Sequence, residues 1–281
     1  MELLVSPQWV ADRLGEPSLV ILDATLPPVG VVPKVDTRGR YLAEHLPGAL
    51  FFDIDELSDA SSGLPHTLPT AESFAESMAA MGVSDTATIV VYEQEGVFSS
   101  PRALWMLRTF GAREVHLLQG GLKAWKAAGL PMESGAVVRK AAVFNATLVA
   151  GAVTSFDQLQ SVIASHGQIL DARSAGRFDG SAPEPRPGLS SGHMPGATSM
   201  PFTDLVSNGA LKAPDELRAI FAGKGVDLGE RITTSCGSGV TAAVVSLALE
   251  LAGAKDLSLY DGSWAEYAQR SEAVIEKNIS Q

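Results

Sequence analysis

The chain has 281 residues, of which 46% are hydrophobic, enough apolar content for one large core or two moderate ones. A net charge of −11, with no block of lysine or arginine, argues against nucleic acid or an anionic membrane as a partner, so any anionic substrate must be met by local arginines. A single cysteine rules out an internal disulfide, the opening residues lack a basic region followed by an apolar one, and no apolar run approaches ~18 residues; a cytoplasmic protein without a membrane span is expected.

In chain order, Ile21-Leu22-Asp23-Ala24 is followed by the turn His45-Leu46-Pro47-Gly48-Ala49. A helix is expected over 71–81 and a strand over 89–92, then a loop beginning Glu93-Gln94-Glu95-Gly96-Val97. A helix over 101–110 and a strand over 115–118 come next, closed by the turn Gln119-Gly120-Gly121. The stretch 133–152 is weakly patterned. Beyond it the same order returns, with Ile169-Leu170-Asp171-Ala172, the turn His193-Met194-Pro195-Gly196-Ala197 and a helix over 214–223. A strand over 232–235, a loop, a helix over 241–252 and a strand over 257–260 complete the second copy, ending at Asp261-Gly262-Ser263.

The interval from aspartate to histidine is the same in both halves, which marks an internal duplication. Strands and helices alternating at this length imply an α/β chain of two tandem domains, each a mostly parallel sheet covered by helices on both faces. The expected boundaries are an N-terminal domain over 1–135, a linker over 136–152 and a C-terminal catalytic domain over 153–281.

The lone cysteine lies in Ser235-Cys236-Gly237-Ser238-Gly239-Val240-Thr241, between a β-branched strand and an alanine-rich helix. Glycines and hydroxyls surround it, unlike the leucine and valine shell of a cysteine that merely fills a core. A helix N-terminus stabilises an anion by about 0.3–1 kcal/mol when exposed and up to ~2 when partly buried. A sulfur anion therefore needs several backbone N–H donors as well, and Gly237 and Gly239 suit a loop curled into such a nest. Aligning the two strands puts Glu93 opposite Cys236, so the first copy carries acidic side chains unsuited to hosting an anion, and the C-terminal half is the catalytic one.

Other chemistries fit less well. A serine-hydrolase elbow needs Gly-x-Ser-x-Gly, but Cys236 and Val240 hold the outer positions around Ser238. A cysteine phosphatase needs an arginine at the end of its loop, and here Ala242, Ala243 and Val244 follow. His45 and His193 occupy identical turns, including the one in the half without a nucleophile, so both read as braces. His116 and His166 have no partner at ligand spacing, and no metal or cofactor is expected.

The paired His-x-Pro-Gly-Ala turns, and above all the run from Cys236 to Thr241, resemble the two-domain rhodanese superfamily over nearly the whole chain. Within it they are most similar to the branch that uses 3-mercaptopyruvate, since thiosulfate-using members place basic residues after the cysteine where this chain has Gly237 and Ser238. The resemblance implies a Cys236 nucleophile that takes up sulfur as a persulfide, with amides of Gly237, Gly239, Val240 and Thr241 around it. Arg177 and Arg186 match the arginines that bind substrate, and their planar forks suit a carboxylate; Arg173, nearer the strand end, reads as structural. The resemblance also carries over a relay of Ser238, His66 and Asp55, with Asp53 a competing acid, and an acceptor such as thioredoxin, a small thiol or cyanide. Two alternatives stay open, a thiosulfate sulfurtransferase and a non-catalytic rhodanese-like binding module.

Overall fold

Short runs rich in Val, Ile and Leu become strands buried on both faces, as the centre of a parallel sheet requires. The computed structural model describes residues 2–278 apart from 28, 30 and 32. The first repeat contains β1 (Leu4–Val5), α1 (Pro7–Ala11), β2 (Leu19–Asp23), α2 (Thr37–Ala43), β3 (Leu50–Phe51), α3 (Ala71–Met81), β4 (Thr88–Tyr92), α4 (Ser100–Thr109), β5 (Glu114–Leu118) and α5 (Gly121–Ala127). The second contains β6 (Val153–Thr154), α6 (Phe156–Ala164), β7 (Gln168–Asp171), α7 (Ala175–Asp179), β8 (Thr198–Ser199), β9 (Val206–Ser207), β10 (Ala210–Leu211), α8 (Pro214–Gly223), β11 (Ile232–Ser235), α9 (Val240–Ala252), β12 (Leu257–Tyr260) and α10 (Ser263–Tyr267).

Each repeat builds a five-stranded sheet, in the order β1-β5-β4-β2-β3 and β6-β12-β11-β7-β8, and the recorded pairings are all parallel. In both, the strand order reverses between the second and third long strands, β2 beside β4 and β7 beside β11. Ligands of open α/β sheets bind at the carboxyl ends of the strands where such a reversal opens a crevice. Cys236 follows β11 and Arg173 follows β7, so sequence positions far apart converge on one such end. Among the described residues no helix is long and apolar enough to cross a membrane.

The core of the first sheet includes Val5, Ile21, Val90, Tyr92, Leu118 and Trp125, and that of the second Phe156, Leu159, Ile169, Met194, Tyr260 and Trp264. The histidines of the two matching turns hold backbone. His45 contacts the carbonyls of Leu46 and Gly135 at 2.8 and 3.0 Å, and His193 contacts that of Phe178 at 2.9 Å while stacking on its ring.

Two compact units divide the chain, one of residues 2–59, 68–149 and 208–210, the other of residues 60–67, 150–207 and 211–278. The interval that carries His45 onto His193 carries residue 60 onto 208, so equivalent loops of the two repeats each group with the opposite unit. Residues 136–149 hold no helix or strand and lie along the first unit, where Ala142, Thr147 and Val149 donate to Ala79, Phe110 and Thr109. Two helices start one residue before the expected position. Pro101 fits the first turn of α4 behind Ser100, and the left-handed turn at Gly239, φ 82°, starts α9 at Val240.

Candidate active site

The cysteine loop is fastened through its carbonyls. Trp264 and Ala265, in the first turn of α10, donate to the oxygens of Cys236 and Gly237 at 2.9 and 3.0 Å, and the Cys236 N–H donates to Ser263 Oγ at 3.3 Å. Ser263 is held in turn by donating to the Tyr260 carbonyl at 2.9 Å. With the oxygens taken, the N–H groups of Gly237, Ser238, Gly239, Val240 and Thr241 have no protein acceptor among the described residues. Five successive donors at the start of α9, those of 237–240 in buried residues, form an anion cradle, and buried amides left unpaired are costly unless an anion or water satisfies them. Cys236 is only 2% exposed, yet its surroundings are this polar loop and not a hydrocarbon core.

Gly239 takes the left-handed conformation expected of a nest glycine, but Gly237 does not, and its reason is different. A Cβ at position 237 would lie 2.8 Å from Arg177 Nη2 and 3.5 Å from Arg186 Nη1. Glycine here lets two guanidinium groups close on the backbone next to the nucleophile. The arginines expected to bind a carboxylate therefore both reach the cysteine loop.

A buried ionic network fixes Arg177. Its Nε lies 3.1 Å from both oxygens of Glu184, and its Nη2 lies 2.6 Å from Oε2. Nη1 keeps no protein partner among the described residues, which leaves its two protons for a ligand. Glu184 also accepts from Arg173 Nη1 at 2.7 Å, and Arg173 pairs with Asp171 through Nε and Nη2 and lies over the Trp264 ring. Burial alone would lower the Arg173 pKa, but Asp171 and Glu184 outweigh it and raise the value, so this arginine stays charged as a structural tie. Sequence reasoning missed Glu184. Two arginines four residues apart, one just after β7 and one in α7, need a carboxylate, and an acid set between Pro183 and Pro185 was the available signal.

Ser238 Oγ and His66 Nδ1 are 2.9 Å apart, although the residues are separated by most of the chain. His66 belongs to the segment 60–67 that groups with the second unit, and its φ of 61° is left-handed, a strained conformation for a non-glycine residue. Asp55 lies in the first unit, where it accepts from Lys34 Nζ at 3.2 Å. Asp53, the competing acid, instead accepts the N–H groups of Asp55 and Glu56 and closes a turn.

The first repeat gives the expectation its physical reason. Its loop cannot host an external anion because Glu93 fills the place itself. Its buried carboxylate accepts from the amides of Phe98, Ser99 and Ser100 at 2.6 to 3.1 Å, and from the Ser99 and Ser100 hydroxyls. Burial raises its pKa, and those hydrogen bonds pull it back only in part. The cradle at the start of α4 is thus filled by the side chain that replaces the cysteine.

Two stretches, residues 6–128 and 155–270, match the model of the rhodanese-like domain. The chain is 45% identical over 275 residues to the 3-mercaptopyruvate sulfurtransferase of Escherichia coli K12, covering 97% of each. It is also 41% identical over 288 residues to the thiosulfate sulfurtransferase of Mus musculus, covering 99% of this chain and 95% of the relative. Among solved structures, that of SseA from Escherichia coli, a 3-mercaptopyruvate sulfotransferase, superposes with a TM-score of 0.87 at 43% identity over 94% of this chain and 99% of that one. The chain belongs to the rhodanese-like domain family and carries that domain twice.

Proposed function

We propose that this protein is a sulfurtransferase that takes sulfur from 3-mercaptopyruvate, releases pyruvate and passes the sulfur from a Cys236 persulfide to a thiol or to cyanide. The observation that carries the reading is the run of five unclaimed amides beside Cys236, with two arginines closing on Gly237. In the first half-reaction the Cys236 thiolate attacks the donor's thiol sulfur and the sulfur–carbon bond breaks with its electron pair going to carbon. The products are a Cys236 persulfide and the enolate of pyruvate. The enolate takes a proton at carbon through Ser238, which His66 resupplies, and the persulfide gives up its own proton to become an anion held by the amides of Gly237, Gly239, Val240 and Thr241.

Arg177 and Arg186 bind the keto acid, and Nη1 of Arg177 is the free edge for its carboxylate. Asp55 belongs to the same proposal as the acid that orients His66. In the second half-reaction a thiolate attacks the outer sulfur and Cys236 leaves as thiolate; cyanide in the same role gives thiocyanate. Thioredoxin or a small thiol in the cytoplasm suits the single-cysteine chain as acceptor. The first domain, over 1–135, carries no catalytic cysteine but lends His66 and Asp55 to the relay, and is joined through 136–152 to the catalytic domain over 153–281.

Thiosulfate is the second donor to consider, because the murine relative that uses that name is nearly as similar. Intact-protein mass analysis after mixing with each donor, with pyruvate or sulfite measured alongside, tests the whole reading. A gain of one sulfur atom with equimolar pyruvate is expected, and none in Cys236→Ser. A wild-type protein that gains no sulfur from 3-mercaptopyruvate refutes it.

A further inference from the structure

Glu184 is almost fully buried, at 1% side-chain exposure, yet it sits directly behind the arginine that reaches the cysteine loop. Arg173 already has its own counter-ion in Asp171, with three contacts of 2.6 to 3.0 Å, so the second carboxylate of the network is left to balance Arg177. The four charges of Asp171, Arg173, Glu184 and Arg177 cancel. Resting on the mercaptopyruvate reading above, we infer that Glu184 is a specificity-determining positioning residue: through Arg177 it sets the positive charge beside Cys236 and selects a donor with one negative charge over a donor with two.

The effect is a difference between two donors in one site, so the rest of the site's field acts on both. A carboxylate in contact with Nη2 of Arg177 repels every negative charge brought to that guanidinium, and a dianion brings one more than a keto-acid monoanion does. At an effective dielectric of about 20 a unit charge a few ångströms away is worth several times thermal energy, which is enough to reorder two donors. Glu184 also turns the Arg177 fork, since it occupies Nε and Nη2 and leaves Nη1 as the edge offered to substrate. With thiosulfate the step is displacement at the outer sulfur by the Cys236 thiolate, with sulfite leaving as a dianion that carries the bond's electron pair. That reaction needs no proton and is limited by how well the site holds two negative charges.

The test compares kcat/KM for thiosulfate and for 3-mercaptopyruvate in wild type, Glu184→Gln and Glu184→Asp. Glu184→Gln keeps the shape and removes the charge, so the thiosulfate-to-mercaptopyruvate ratio should rise by about tenfold or more. Glu184→Asp keeps the charge and should keep the ratio near that of wild type even where both rates fall. A purely structural role would lower both donors together and leave the ratio unmoved in Glu184→Gln, and that result, or an equal shift in Glu184→Asp, overturns the inference. Should neither variant fold, wild type decides: pyruvate should shield Cys236 from iodoacetamide at lower concentration than sulfate does, and the reverse order overturns the inference. Wild type that transfers no sulfur from 3-mercaptopyruvate sinks the functional reading itself, a result distinct from an unmoved ratio.

Discussion

Glu93 and Cys236 occupy the same place in the two repeats. Each follows a central strand, and each has its carbonyl taken by the helix after the next strand, from Leu122 N–H at 3.0 Å and from Trp264 N–H at 2.9 Å. At Glu93 the amides ahead of the helix close on a carboxylate from the same loop, whereas at Cys236 they are unclaimed. Duplication has therefore kept two anion cradles, one filled from within and one open to an anion carried on sulfur.

The filled cradle should be a stability element. Glu93→Gln keeps the volume but turns an NH2 group toward amide donors, leaving buried N–H groups without an acceptor. We expect the first unit to lose about 3 kcal/mol in urea unfolding, with the rate of Cys236 alkylation in the native protein unchanged. Equal stability of the two proteins would show that these donors do not need an internal anion.

A second carboxylate of the first unit gives a pH dependence of definite sign. Asp23 and Asp171 end equivalent strands, but the residue two positions on is Thr25 in one case and Arg173 in the other, so only Asp171 has a buried counter-ion. Burial raises the Asp23 pKa, and hydrogen bonds from Thr25 and Gln94 offset this only in part. A folded state that binds its proton more tightly than the unfolded chain is favoured in acid, and this contribution fades as pH climbs from the ordinary aspartate value through the raised one. Asp23→Asn should therefore flatten the loss of stability between acid and neutral pH, since the asparagine oxygen can still accept from Thr25 and Gln94 can turn its amide. Urea midpoints across that range in both proteins would check it, and parallel curves would remove Asp23 as the cause.

The duplication was readable because the two histidine turns repeat nearly letter for letter, and the four helices and four strands expected from apolar period lie within a residue of their observed bounds, whereas short elements such as α1, α7 and β3 left no such pattern. The meaning of single positions was harder to read where it depends on what the fold brings alongside. Glu93 was visible as the cysteine's counterpart, but its capture of the α4 amides depends on loop closure. Gly237 is glycine because of guanidinium groups some fifty to sixty residues earlier in the chain, a steric fact without local trace. Glu184 has no period and no motif, only partners that α7 and β7 deliver to it.

The Ser238 hydroxyl should matter for one donor and not for another. Pyruvate departs as an enolate and must gain a proton, while sulfite departs from thiosulfate without one. Ser238→Ala should lower kcat with 3-mercaptopyruvate by about 10²-fold, the usual range for losing a positioned acid, and leave thiosulfate turnover within a small factor. His66→Asn should follow the same pattern because its ring lies 2.9 Å from the hydroxyl. Parallel losses with both donors would assign Ser238 to the cradle and not to proton transfer.

Gly237→Ala tests how closely the arginines are fitted to the cysteine loop. The new methyl would stand 2.8 Å from Arg177 Nη2, and Glu184 holds that guanidinium through two nitrogens, so the fork must shift or the loop must lift. Overpacking of this kind costs about 1–3 kcal/mol. Because φ at Gly237 is not left-handed, the backbone accepts alanine without strain and the cost falls on the fork. We expect KM for 3-mercaptopyruvate to rise about tenfold, the equivalent of about 1.4 kcal/mol, with the thermal midpoint lowered by a few degrees. An unaltered KM would mean that the loop gives way first, and the arginines would then not be the reason for glycine at this position.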